Sequence, residues 1–135
     1  MYKNILIPVL LDDDHEKHSA IQVAKTLAGD GAAFTVLHVM EVIPAYVTAE
    51  IPAEVLANTR KEVEEGVSAI SKELPNCVGV TVSGHAGNAI VEYAKNHGID
   101  CIVLASHKPG LQNYFLGSTA DRVVRHAGCA VHVLR

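Results

Sequence analysis

Hydrophobic and polar positions along this chain fall into two alternating patterns. Short, nearly unbroken apolar runs are followed each time by a longer stretch whose apolar residues recur at threes and fours. The first run lies within Tyr2 to Leu11 and contains Ile5-Leu6-Ile7-Pro8-Val9-Leu10-Leu11, the pattern of a parallel strand buried on both faces. Pro8 has no N–H to give to a ladder, so it belongs at the end of that strand. Asp12, Asp13 and Asp14 follow, one of them to cap a helix that carries Ala20, Ile21, Ala24, Leu27 and Ala28 on one face and stops at Gly29-Asp30-Gly31. Phe34 to Met40 reads as the second strand. Glu41 to Pro52 is a longer connection with two prolines and Tyr46, and connections of that length are often functional.

The alternation continues. Ala53 to Leu74 predicts a long amphipathic helix through Leu56, Thr59, Val63, Val67, Ile70 and Leu74, ended by Pro75-Asn76. Val78 to Ser83 is the third strand, and Gly84-His85-Ala86-Gly87 follows it. Asn88 to His97 is a helix built on Ile90, Val91 and Ala94 and closed by Gly98. Cys101 to Ala105 is the fourth strand. A polar loop with a Pro109-Gly110 turn leads to Gly117-Ser118-Thr119, which opens a helix with Ala120, Val123, Val124 and Ala127 at helical spacing. Ala130-Val131-His132-Val133-Leu134 is the fifth strand.

Strand and helix alternating in this way predict one α/β domain over residues 1–135, a doubly wound five-stranded parallel sheet of order 3-2-1-4-5. Ligands of such sheets bind beyond the carboxyl ends of the strands, where the strand order reverses. Here the reversal falls between the first and fourth strands, so Pro8 to Asp12 meets Leu104-Ala105-Ser106-His107. The helix opened by Gly117, Ser118 and Thr119 begins beside them. Its free N–H groups and dipole favour an anion, and Lys108 adds a positive charge to the same loop. Taken alone, Gly117 and Ser118 are also what an ordinary turn glycine and N-cap would be.

Composition narrows the classes. The chain has 135 residues, 49% hydrophobic and 19% charged, with a net charge of −4. That balance describes a soluble globular protein and supplies no basic field for nucleic acid or anionic membrane. No apolar run is long enough to span a bilayer and the start lacks a signal-peptide pattern, so the cytoplasm is the expected compartment. Cys77, Cys101 and Cys129 form no C-x-x-C pair, and core packing is the expected role of Cys101 and Cys129.

The chain resembles the universal stress protein family over nearly its whole length. The resemblance lies in Asn4-Ile5-Leu6-Ile7-Pro8-Val9, Leu37-His38-Val39, Gly84, and Leu116-Gly117-Ser118 through Val131-His132-Val133. It implies a Rossmann-like domain similar to the adenine nucleotide alpha hydrolases. It also implies ATP, ADP or AMP as ligand, with or without Mg²⁺, and a homodimer through Ala130 to Leu134. The ATP-binding branch has a loop of the form Gly, two residues, Gly, nine residues, Gly, Ser/Thr. Here Ala105 and Lys108 stand at the first two glycines and eight residues separate Lys108 from Gly117. The Ser106-His107-Lys108-Pro109 form is instead similar to a bacterial subgroup with Ser-His-Arg/Lys-Pro loops, whose members can also hold ATP. The family's Asp two residues after the proline, an adenine or ribose contact, is Leu10 here, and the nearest acid is Asp12. On this resemblance Pro8, Val9, Val39 and Leu104 are expected to line the purine. Leu10 and Asp12 flank it, and Ala105, Ser106, His107, Lys108, Gly117, Ser118 and Thr119 are expected at the sugar and phosphates.

Competing patterns are weaker. His15 and His18 lie three apart beside the acidic run, but acids at a helix start already complement the dipole. A phosphate-accepting response regulator needs an Asp after the third strand, where Ser83-Gly84-His85 stands. No Walker or G-x-G-x-x-G motif is present. The expected function is therefore a nucleotide-binding regulatory protein of the stress class. The alternatives are a slow ATPase or phosphotransferase at the same site and a dimeric interaction module that binds no nucleotide.

Overall fold

Ile5, Leu6 and Ile7 are wholly buried because they occupy the central strand of a sheet covered on both faces. The computed structural model describes residues 1–9, 14–105 and 117–134. Its elements are β1 (Tyr2–Pro8), α1 (Asp14–Leu27), β2 (Ala28–Met40), α2 (Ala45–Thr48), α3 (Ala53–Ser71), β3 (Cys77–Ser83), α4 (Ala86–Asn96), β4 (Cys101–Ala105), α5 (Ser118–His126) and β5 (Ala130–Leu134). The five strands pair in parallel in the order β3-β2-β1-β4-β5. The doubly wound arrangement expected from the sequence is the one observed.

Side chains alternate across each strand, and this splits the core into two layers. Ile5, Ile7, Phe34, Val36, Cys101 and Val103 pack with Ala20, Ile21 and Ala24 of α1 and Val67 and Ile70 of α3. Leu6, Leu37, Ile102 and Leu104 pack with Ile90 and Ala94 of α4 and Ala120 and Val123 of α5. The helices α4 and α5 lie close together where Gly87 meets Arg122. A Cβ on Gly87 would come within 2.9 Å of the Arg122 Cβ, and Arg122 Nε donates to Asn88 Oδ1 beside it.

The amino end of the sheet is latched by Asp100. Its carboxylate accepts the N–H groups of Lys3 at 2.9 Å and Asn4 at 3.0 Å, and its own N–H donates to the Asn4 carbonyl at 3.0 Å. Gly98, at φ 64, makes the left-handed turn that brings Asp100 to this position.

Several boundaries differ from the sequence expectation. The Gly29-Asp30-Gly31 stop lies inside β2, and Ala28, expected on the α1 face, is the strand's first residue. The ladder steps from Tyr2↔Ala28 to Asn4↔Ala33, so β2 carries an irregularity there. Gly31 at φ 72 makes that bend without ending the strand. The connection from Glu41 to Pro52 holds the short α2. The long helix ends at Ser71, with Leu74 buried in the turn that follows, and its expected contact Thr59 is exposed. The fourth helix starts at Ala86, two residues before Asn88, and β3 starts one residue early, at Cys77. Cys101 is buried in the core as expected. That burial is the largest cause of its thiol pKa rising to about 11.

Candidate functional site

Pro8 ends β1, and its position takes a donor out of the ladder at the carboxyl end of that strand. The N–H of Val9 donates to the Leu37 carbonyl of β2 at 2.9 Å. Backbone groups turn to opposite neighbours at successive residues of a strand, so Pro8 is turned toward β4 with no N–H to donate. Correspondingly, among the described residues β1 pairs with β4 only at Ile5↔Cys101 and Leu6↔Ile102. The β1–β2 ladder continues to Pro8↔Leu37 and the β4–β5 ladder to Ala105↔Leu134. Among the described residues, the carboxyl ends of β1 and β4 are thus unpaired with each other. This is the point where the strand order reverses.

Of the residues expected at the purine, Val9 and Leu104 are only 7% and 3% exposed. They belong to different core layers: Val9 packs on the α1 and α3 side, Leu104 and half-buried Val39 on the α4 and α5 side. The structure brings Pro8, Val9, Val39, Leu104 and Ala105 to one edge of the sheet but not to one face. Leu10, Asp12, Ser106, His107 and Lys108 lie outside the described residues, as do the Asp12 and Asp13 cap candidates.

The helix start expected at Ser118 is observed, with one change in role. Gly117 is the N-cap and Ser118 the first helical residue, and among the described residues no side chain caps the helix. Gly117 has φ −62 and ψ 157, ordinary extended values, so its backbone does not require glycine. Ser118 is exposed, Thr119 half-buried and Ala120 buried, which leaves the first turn open on its Ser118 side.

Two side chains missed by the sequence reading shape this edge. His38 Nδ1 lies 3.0 Å from the Val9 carbonyl, and because a carbonyl only accepts, Nδ1 carries the proton. Glu41 Oε1 accepts the N–H of Ala86 at 3.2 Å, with His85 Nδ1 3.9 Å from Oε2. Both contacts join residues far apart in the chain, so no local pattern announces them. Glu41 directly after an apolar strand was the available signal.

Among the described residues no group of three His, Cys, Asp or Glu is placed to hold a metal, and no helix is long and apolar enough to cross a membrane. A shallow groove of about 520 Å³, lined by Lys17, Thr59, Glu62, Val63 and Ile70 among others, lies between α1 and α3. It is on the opposite side of the sheet from α5 and contains none of the candidate residues.

A doubly wound α/β sheet whose strand order reverses between β1 and β4 defines a broad class. Its family is specific. The universal stress protein family matches residues 1–135, and the chain belongs to it. A universal stress protein of Methanocaldococcus jannaschii is 32% identical over 142 residues, covering 100% of this chain and 83% of that protein. The structure of the universal stress protein UspA from Lactobacillus plantarum is similar with a TM-score of 0.72 at 28% identity, covering 99% of this chain and 98% of that one. A universal stress protein from Archaeoglobus fulgidus, solved in complex with dAMP, shares the fold with a TM-score of 0.66 at 19% identity, covering 99% of this chain and 98% of that one.

Proposed function

We propose that the chain is an adenine-nucleotide-binding regulatory protein, acting as one cytoplasmic universal stress domain and holding ATP, ADP or AMP at the β1/β4 crevice. The observation that carries this reading is the reversal of strand order between β1 and β4, whose described pairing stops at Leu6↔Ile102, the place where α/β sheets take their ligands. The purine enters beside Pro8, Val39 and Leu104, with Asp12 near the ribose. The phosphates meet the first turn of α5 at Gly117, Ser118 and Thr119, with Lys108 as their counter-charge and His107 in the same loop. The dAMP bound by the Archaeoglobus protein of like fold supports an adenine nucleotide as the ligand class. The proposed mechanism is state-dependent binding: a partner meets a different surface on the nucleotide-bound protein than on the empty one.

The working unit in this proposal is a homodimer. Among the described residues β5 is the last strand of the sheet, and its backbone is paired only through β4. Association with a second β5 would satisfy both edges.

Mass spectrometry of small molecules released from the purified protein tests the ligand. The proposal expects ATP, ADP or AMP in amounts comparable to the protein. Protein that arrives empty and takes up none of them at millimolar concentration would contradict it. Multiple-turnover phosphate release from added ATP would favour a slow ATPase at the same place.

A further inference from the structure

Val9 is the last described residue before the chain continues to Leu10 and Asp12, and it is held at both of its backbone groups. Its N–H donates to the Leu37 carbonyl at 2.9 Å. Its carbonyl accepts from Nδ1 of His38 at 3.0 Å. Consecutive residues of β2 therefore grip the two polar groups of one residue of the neighbouring strand, the first through backbone and the second through a side chain. Leu37 points into the α4 and α5 layer and is fully buried, whereas His38, one residue on, is half-buried and on the other face. A half-buried imidazole with one nitrogen committed to a strand-end carbonyl does not contribute to the core as an apolar residue would.

Extending the proposed nucleotide site, on which this inference rests, we propose that His38 is a positioning residue for the base and ribose. By holding the Val9 carbonyl it fixes the carboxyl end of β1, where the purine is proposed to sit. It touches no ligand itself. The role is specific to the δ nitrogen. Asn carries its Nδ2 donor the same number of bonds from the backbone as histidine carries Nδ1, whereas Gln carries its donor one bond further out.

The test is calorimetric titration of wild type, His38→Ala, His38→Asn and His38→Gln with AMP and, separately, with adenosine. All four proteins are kept well below their melting temperatures. Losing one net hydrogen bond is expected to weaken binding by about three- to tenfold. That loss should be seen in the Ala and Gln variants, equally for AMP and adenosine, with recovery in the Asn variant. Equal binding by all four proteins overturns the positioning role and leaves the nucleotide site standing. So does an Asn variant as weak as Ala, or a loss confined to AMP, which would connect His38 to the phosphate. A wild-type protein that binds neither ligand removes the nucleotide site and this inference with it. If the Ala variant does not fold, the contrast between Asn and Gln decides the matter.

Discussion

Glu41 accepts the backbone N–H of Ala86 at 3.2 Å, so α4 starts on a carboxylate supplied by the residue that follows β2. This distinguishes the two helices of the α4 and α5 layer. The amino terminus of α4 has an internal anion, with His85 beside it. The amino terminus of α5 has Gly117 as its cap and, among the described residues, no side-chain cap hydrogen bond. An incoming phosphate is therefore expected at α5, because α4 already has a carboxylate on its first N–H. Glu41→Ala should then cost about 0.5–1 kcal/mol of stability, the usual worth of a carboxylate at a helix start. Nucleotide affinity should be unchanged. Denaturant unfolding and titration of the same variant check the pair of outcomes. A rise in affinity would mean that Glu41 repels the ligand and sits closer to the site than proposed.

The proposed site puts Lys108 at the phosphates. Lys108→Ala should weaken ATP binding by about ten- to a hundredfold, as expected for a charge-assisted contact, and leave adenosine nearly unchanged. Titration with both ligands separates the readings. Equal losses would mean that Lys108 supports the loop and does not pair with phosphate.

Gly117 offers a cleaner steric test than its sequence context implied. With φ −62 and ψ 157 it adopts a conformation open to any residue, so Gly117→Val should fold with little backbone strain. The valine should still obstruct approach to the free N–H groups of α5 and abolish ATP binding. A folded variant, judged by circular dichroism, that binds ATP as wild type does would move the phosphate away from this turn.

Much of this architecture was legible from pattern. Near-continuous apolar runs are what strands buried on both faces require, and Ile5 to Ile7 and Cys101 to Leu104 are buried as that reading expects. Pro8 announced the end of β1 because its missing donor is a covalent fact. The start of β2 was misread because glycines normally end elements, whereas here Gly29 and Gly31 lie within an irregular strand. The contacts of His38 with Val9 and Glu41 with Ala86 were invisible because they depend on which strands become neighbours. The division of Val9 from Leu104 between the two layers depends on where β1 ends and on the parity of β4. Neither shows in the residues' apolar character.

The edge strand makes a further prediction. Val131, Val133 and Leu134 are half-buried, and Ala130 and His132 are exposed. Val133→Pro removes a donor and bends the strand. Light scattering should show the proposed dimer shifting to monomer or the protein becoming insoluble. Wild type running as a monomer at high micromolar concentration would exclude pairing through β5.

Binding of an adenine nucleotide at the β1/β4 crevice is tested most directly by titrating ¹⁵N-labelled protein with AMP and mapping backbone amide shifts. The largest changes are predicted at Val9, Val39, Ala105, Ser118 and Thr119, with little change at Lys3, Asn4 and Asp100, which sit at the opposite end of the sheet. Shifts gathered instead around Thr59, Val63 and Ile70 in the groove between α1 and α3, or no shifts at millimolar AMP, would contradict a nucleotide site at this crevice.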